Sequence, residues 1–136
     1  MTRTKKVCVV TGSRAEYGIL FHLISRIRKA SDLKLELICT GMHLSPEFGL
    51  TYREIEKDGF SIDEKVESFL SGDTPVSVGK SIGFTIIGLV DAYARINPDL
   101  LVLAGDRFEI FAAAAAATVS NIPIAHIHGG ERGEGA

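Results

Sequence analysis

Short aliphatic runs alternate with longer polar and apolar patterns along the whole chain. The aliphatic runs are rich in β-branched residues and are bounded by turn residues, which predicts strands. Because no repeat, low-complexity tract or linker divides the pattern, we expect one alternating α/β unit. The predicted strands lie at about Lys6–Thr11, Leu35–Thr40, Ile62–Val66, Leu100–Ala104 and Ile122–Ile127.

The longer segments between these strands are predicted to be helices. In the first, Leu20, Ile24 and Ile27 recur at helical spacing. The fourth carries a run of alanines, which favours helix and allows close packing on a sheet. Pro98 is expected to end the third helix. The predicted helices span residues 15–30, 50–59, 75–98 and 108–121.

Strands joined by helical crossovers form a parallel sheet, so every loop from strand to helix leaves the same carboxyl edge. Almost all unusual polar residues of the chain fall in those loops, which are residues 11–18, 41–49, 67–75, 105–109 and 128–136. Parallel strands are normally covered on both faces, and no helix follows the fifth strand. We therefore expect residues 1–136 to be the amino-terminal domain of something longer.

Three of the predicted helices begin with a capping residue three positions before a glutamate. This spacing is that of a capping box, in which each of the two side chains accepts a hydrogen bond from a free amide of the first turn. Local helix capping is therefore the first explanation for these acids. The pairs are Asp106 with Glu109, Ser13 with Glu16, and Thr51 with Glu54.

Capping does not account for Arg14 and Arg107, which stand at the starts of the first and fourth helices. A guanidinium group beside a helix amino terminus adds to the positive potential there and suits a phosphate or diphosphate ligand. The first loop, "TGSRAEYG", is neither a G-x-G-x-x-G nor a Walker A sequence. The pattern therefore favours an anionic ligand but disfavours dinucleotide and nucleoside triphosphate enzymes.

Composition further limits the classes of protein to which the chain could belong. The chain has 136 residues, 46% hydrophobic and 24% charged, with a net charge of -2, which indicates one soluble domain without a footprint for nucleic acid or anionic membrane. Its unbroken apolar runs are shorter than the roughly 20 residues of a spanning helix, so a cytoplasmic location is expected. Cys8 and Cys39 fall in strands and are expected to pack as small hydrophobes.

The end of the sequence contains a set that could bind a metal. His126 and His128 have the same strand parity, and Glu131 follows three residues later. However, these three side chains lack a ligand from elsewhere in the chain, and histidines near strand ends often only form hydrogen bonds. No metal site is therefore expected.

Three motifs together are specific: "TGSRAEYG" after the first strand, "GDRFE" after the fourth and "HIHGGE" after the fifth. With these three motifs in this order, the chain resembles the hydrolysing UDP-N-acetylglucosamine 2-epimerases. The resemblance implies a two-domain enzyme of the glycosyltransferase-B type, with Rossmann-like domains, of which this chain is the first. It also implies conversion of a nucleotide-linked N-acetylhexosamine to the free 2-epimer and a nucleoside diphosphate, through elimination to a glycal and rehydration, without metal or nicotinamide. Such enzymes supply the synthesis of sialic or legionaminic acids.

The resemblance also implies roles for individual residues. Asp106 matches a catalytic acid of the family, and we expect it both to cap the helix and to face the sugar. Arg14 matches a residue that contacts the diphosphate, with Gly18 in the same loop. Arg107 is expected to belong to the substrate- or nucleotide-binding residues and to orient its loop by pairing with neighbouring acids.

The sequence departs from many relatives at His128, where they have a glutamate. His128 is expected to take over the proton transfer, since the pKa of imidazole lies near 6.5, unless Glu131 replaces it. Two other functions stay open: a sugar-nucleotide glycosyltransferase of the same architecture, and a non-enzymatic flavodoxin-like binding module. The third helix is apolar around much of its circumference, which predicts a homodimer.

Overall fold

The computed structural model describes residues 4–68 and 72–128. These residues form alternating strands and helices, as predicted. Two short 3₁₀ turns, Gly41–Leu44 and Pro46–Phe48, lie between the second strand and the second helix. In chain order the elements are β1 (Lys5–Thr11), α1 (Arg14–Lys29), β2 (Leu33–Thr40), α2 (Tyr52–Lys57), β3 (Glu64–Val66), α3 (Pro75–Ile96), β4 (Leu100–Ala104), α4 (Phe108–Val119) and β5 (Ile124–Ile127).

The strands form one five-stranded sheet in the order β3-β2-β1-β4-β5, and every neighbouring pair is parallel. The chain runs outward from β1 to β3, returns through α3, and then continues outward on the other side through β4 and β5. The direction of winding therefore reverses between β1 and β4, where the loops after adjacent strands separate and leave a crevice. The loops that begin with Gly12 and Gly105 flank this point.

Helices cover both faces of the sheet, which confirms the predicted Rossmann-like architecture. Alternation along β1 sends Val7 and Val9 to the core beneath α1, and Cys8 and Val10 to the core beneath α3 and α4. Both cores are built from aliphatic side chains, which explains why the strands have almost continuous apolar sequences. Cys8 and Cys39 are free thiols that pack in opposite cores, and burial raises the pKa of each.

Two of the three predicted helix caps differ in the structure. Ser13 does cap α1, since its hydroxyl accepts a hydrogen bond from the Glu16 amide at 3.3 Å. Thr51 has helical backbone angles and makes no capping bond; its hydroxyl contacts the His43 ring instead, at 2.9 Å. The N-cap position of α4 belongs to Arg107, not to Asp106. Gly105 turns the chain with φ +85°, so that α4 begins one residue later than the capping pattern predicts.

Helix α3 is long and apolar. Among the described residues it is the one helix whose length and mean hydropathy of 1.2 would allow it to cross a membrane. It packs against β3 and α4, and Leu89, Tyr93 and Ile96 on its inner side belong to the core. These contacts are those of a helix that covers a sheet.

Candidate active site at the carboxyl edge

Two buried glutamates stand side by side at the point where the winding of the sheet reverses. Glu16 in the first turn of α1 is 4% exposed, and Glu109 in the first turn of α4 is 1% exposed. A Cβ added to Gly12 would lie 3.2 Å from Glu16 Oε1 and 3.3 Å from Glu109 Cβ. Gly12 therefore separates the two side chains, and a larger residue there would push against both.

Gly41 closes this group from the side of β2. Its backbone has φ +61°, and an added Cβ would lie 2.8 Å from Glu109 Oε1 and 2.8 Å from the Gly12 carbonyl oxygen. The amide of Met42 donates to the same carbonyl at 2.9 Å. The loops after β1 and β2 are thus in direct contact above Glu109, and only glycine fits this approach.

Arg107 binds Glu109 through two hydrogen bonds. Its Nε lies 3.1 Å from Glu109 Oε2, and its Nη2 lies 3.2 Å from Oε1. This is the bidentate geometry in which guanidinium and carboxylate bind most strongly, and these bonds raise the pKa of Arg107. Arg107 does pair with a neighbouring acid, as expected from the sequence, and the side chain stays 42% exposed toward the loop edge.

Glu16 has far weaker support for a negative charge. Its Oε1 accepts a hydrogen bond from the Gly12 amide at 2.7 Å, whereas its buried Oε2 has no hydrogen-bond partner among the described residues. The pKa of Glu16 is raised to about 7. Burial is the main cause and the charge of Glu109 adds to it, while the hydrogen bond from the Gly12 amide acts in the opposite direction. The carboxyl group is therefore able to hold a proton near neutral pH.

Asp106 lies at the tip of the turn after β4 and is exposed. The structure shows no hydrogen bond to its carboxylate from residues 4–68 or 72–128. The preceding residue is fixed from β5: the Gly105 amide donates to Ile127 O at 3.0 Å, and His126 Nε2 donates to Gly105 O at 2.6 Å. Asp106 and His128 each follow one member of the Gly105–Ile127 bond, so the fold brings them to adjacent positions on one edge.

The other predicted site residues lie at the same edge or on α1. Arg14 is the first residue of α1 and forms an ion pair with Glu54 at 3.1 Å, with 73% of its side chain exposed. A surface pair of this kind is weak, which leaves the guanidinium accessible. Gly18 is exposed on α1, and an added Cβ would meet nothing within 4 Å. Glu131 lies outside the described residues.

His43 is a buried residue that the sequence analysis missed. It is 0% exposed, and its two ring nitrogens lie 2.9 Å from the hydroxyls of Thr11 and Thr51. The Thr11 hydroxyl donates to Ser13 O at 3.3 Å, so it accepts from His43 Nε2, while Nδ1 accepts from Thr51. Burial lowers the pKa of His43 to about 4. The neutral ring thus joins the ends of β1 and β2 to the start of α2.

A cavity of about 600 Å³ opens beside Glu109, within the size range of small-ligand sites. It lies between the loop after β2, the start of α3 and the start of α4. Arg107 and Glu109 form one wall, and Met42, Ser45 and Ser81 contribute to the others. Within the described part of the chain, no three His, Cys, Asp or Glu side chains are grouped so that they could hold a metal ion.

Comparison with known proteins assigns the chain to a family. The family model for UDP-N-acetylglucosamine 2-epimerase matches residues 25–135. The chain is 42% identical over 127 residues to the GDP/UDP-N,N'-diacetylbacillosamine 2-epimerase (hydrolyzing) of Campylobacter jejuni. The aligned region covers 93% of this chain and 33% of that protein. It is 40% identical over 128 residues to the UDP-N,N'-diacetylbacillosamine 2-epimerase (hydrolyzing) of Legionella pneumophila, covering 94% of this chain and 34% of that protein.

Solved structures agree on the fold. The structure superimposes on UDP-GlcNAc 2-epimerase from Neisseria meningitidis bound to UDP-GlcNAc with a TM-score of 0.80 and 22% identity, covering 96% of this chain and 33% of that one. The chain therefore spans about a third of the length of the relatives it matches. Since the family model covers most of the sequence and the fold agrees, the chain belongs to the UDP-N-acetylglucosamine 2-epimerase family.

Proposed function

We propose that this chain carries catalytic residues of a hydrolysing 2-epimerase that acts on a nucleotide-linked acetamido sugar. The nucleoside diphosphate leaves C1 and a proton leaves C2, which gives a glycal. C2 is then protonated from the opposite face and water adds at C1, so that the products are the free 2-epimer and the nucleoside diphosphate. The observation that carries the proposal is the juxtaposition of Asp106 and His128 through the Gly105–Ile127 hydrogen bond.

The chemistry needs several acid and base groups, and the carboxyl edge supplies them. Asp106 and His128 are assigned to proton transfer and charge stabilisation, with Glu131 as the third candidate. Arg14 at the amino terminus of α1 is assigned to the diphosphate, where helix dipole and guanidinium charge act together. Gly18 lies one turn further along α1. Arg107 lines the cavity as well as holding its loop, and a second Rossmann-like domain is assigned to the rest of the nucleotide.

The sugar is proposed to carry a second acetamido group, as in N,N'-diacetylbacillosamine. Two relatives at 42% and 40% identity have names that specify this sugar, whereas a Neisseria meningitidis relative named UDP-N-acetylglucosamine 2-epimerase is 34% identical over a similar length. A product of this kind would feed the synthesis of sialic-acid-like sugars. A polysialic acid biosynthesis protein of Escherichia coli is 38% identical.

The test is product formation by the full-length protein with three donors: UDP- and GDP-linked diacetylbacillosamine and UDP-N-acetylglucosamine. We expect release of nucleoside diphosphate and a free 2-epimer without any acceptor, with faster turnover of a diacetamido donor. A requirement for an acceptor would instead support the glycosyltransferase alternative. No release from any donor would contradict the proposal.

We also propose that the enzyme is a cytoplasmic homodimer. Val76, Phe84 and Ile87 on α3 are 66%, 51% and 65% exposed, and together they form an outward apolar stripe. Large exposed apolar patches often mark interfaces. The two buried free thiols, Cys8 and Cys39, fit a reducing compartment.

A further inference from the structure

The two buried glutamates beside Gly12 have unequal partners. Glu109 receives both hydrogen bonds of the Arg107 guanidinium group. Glu16 Oε1 accepts one hydrogen bond, from the Gly12 amide. Its Oε2 is buried without a hydrogen-bond partner in the described part of the chain. Arg107 therefore lies near both carboxyl groups, but its hydrogen bonds to this pair go only to Glu109.

The difference in hydrogen-bond partners indicates which of the two carboxyl groups carries the negative charge. A buried carboxylate without a full set of partners is costly, and a second negative charge beside it adds repulsion. Glu109 has a bidentate cation and is stable as the anion. Glu16 avoids both costs if it carries a proton, and the direction of its pKa shift agrees with this. The ionisable groups that act on Glu16 are Glu109 and Arg107, both at the start of α4, while the loop after β1 contributes the backbone groups of Gly12 and Ser13.

Both carboxyl groups are next to the turn that carries Asp106. An added Cβ on Gly105 would lie 3.8 Å from Glu16 Oε2, so the Glu16 carboxyl group lies close to this turn. On the other side of Asp106, Arg107 is held by Glu109. Asp106 is thus flanked by one residue that lies close to Glu16 and another that is bound to Glu109.

We propose that Glu16 and Glu109 are positioning residues for the reaction, with Glu16 protonated and Glu109 ionised, and that together they fix the turn holding Asp106. This inference rests on the proposed function for its catalytic consequence. When Glu16 loses its proton, two negative charges compete for Arg107 and the turn loosens. Turnover then falls as the pH rises, even though neither glutamate touches the reacting sugar.

The first test compares kcat and KM of the full-length enzyme with those of four variants across about pH 5.5 to 9. Glu16→Ala is expected to lower kcat by about tenfold or more. Glu16→Gln copies the protonated carboxyl group, so at about pH 6 its kcat is expected to stay within about threefold of that of the natural enzyme. Glu16→Gln is also expected to lack the alkaline decline that Glu16 ionisation causes. Glu109→Gln is expected to lower kcat by about tenfold or more with little change in KM. Glu56→Gln, at an exposed position on α2, is the matched control.

Two outcomes would overturn the inference in this assay. One is that Glu16→Gln loses as much kcat as Glu16→Ala, or keeps the alkaline decline of the natural enzyme. The other is that Glu109→Gln turns over normally. Misplacement of a catalytic group by about 1 Å can cost about a hundredfold in rate, so a change in a residue that positions Asp106 should be visible in kcat. Either result would therefore show that the pair does not position Asp106.

A second measurement does not depend on activity. A group whose pKa is raised on folding stabilises the protein below its unfolded pKa, and that stabilisation is lost as the pH rises through the folded value. For Glu16 the window runs from about 4.5 to about 7. The Tm of Glu16→Gln minus that of the natural protein should therefore increase between about pH 5 and pH 8. An unchanged difference would overturn the charge assignment, whereas inactivity of the natural protein on every donor would contradict only the proposed function.

Discussion

Asp106 is the residue whose assignment the structure changes most. The capping pattern gave it a structural role in α4, but Arg107 occupies the N-cap and Asp106 is exposed. We therefore expect Asp106→Asn to leave the melting temperature unchanged and to lower turnover by about 10²–10⁴-fold, the usual effect of losing one acid or base. Product release by the full-length protein, beside a thermal melt, measures both. Asp32→Asn, in the exposed turn before β2, is the control, and near-normal turnover of Asp106→Asn would remove the catalytic assignment.

His43 makes stability depend on pH in the acid range. Burial lowers its pKa to about 4 from an ordinary value of 6.5, so its stabilisation is complete above about pH 6.5 and is lost as the pH falls toward 4. We expect the Tm of the natural protein minus that of His43→Gln to decrease between about pH 7 and pH 5, because the variant cannot take up the proton.

The control for His43 is His22→Gln, because His22 is exposed on α1. The Tm of the natural protein minus that of His22→Gln should stay constant over this interval. A constant difference for His43→Gln as well would show that the buried ring does not make stability depend on pH.

The sequence predicted where these residues lie in the fold but not which residues surround them. The order of Arg14, Asp106 and His128 along the chain sufficed to place them at one sheet edge, because parallel topology imposes that. The proximity of Glu16 and Glu109 brings together residues 93 positions apart and depends on how closely α1 and α4 approach Gly12. The same D-x-x-E and S-x-x-E spacing fits an exposed capping box, so burial was not predictable from it.

At the scale of elements, periodicity located every helix and strand of the described chain, while the ends depended on tertiary contacts. β5 begins at Ile124 and not at Ile122, because Pro123 lacks the amide that a strand interior uses. The 3₁₀ turns after β2 were not predicted, since their packing against the β1 loop comes from the Met42–Gly12 hydrogen bond. Local sequence alone does not encode that approach.

The apolar stripe of α3 leads to a prediction about assembly. Phe84 is 51% exposed, and a charge in the centre of an interface would be desolvated without a partner. We expect sedimentation of the full-length protein to show a dimer that Phe84→Glu shifts to monomer. Ile19→Glu is the matched control, since Ile19 is also 51% exposed but lies on α1, across the sheet. Equal sedimentation of Phe84→Glu and the natural protein would place the interface elsewhere.

At the scale of the whole molecule, the sheet order explains why one edge collects the chemistry. Reversal of winding between β1 and β4 leaves a crevice at their carboxyl ends, and the helices that follow these strands point their amino termini toward it. Arg14 is the first residue of α1, and Arg107 is the N-cap of α4. A second domain placed over this edge would complete a cleft around a sugar nucleotide.

The division of the nucleotide between two domains can be tested with the 136-residue chain. The chain retains Arg14 at the start of α1 for the diphosphate, but in the proposed arrangement the uridine is held mainly by the second domain. We therefore expect weak binding of UDP in calorimetry, and weaker binding still for Arg14→Ala. Arg26→Ala, in the last turn of the same helix, is the control because it removes an exposed guanidinium group far from the edge. A dissociation constant of about 1 μM or tighter, equivalent to roughly 8 kcal/mol, would mean that this chain alone holds the whole nucleotide and that the proposed division is wrong.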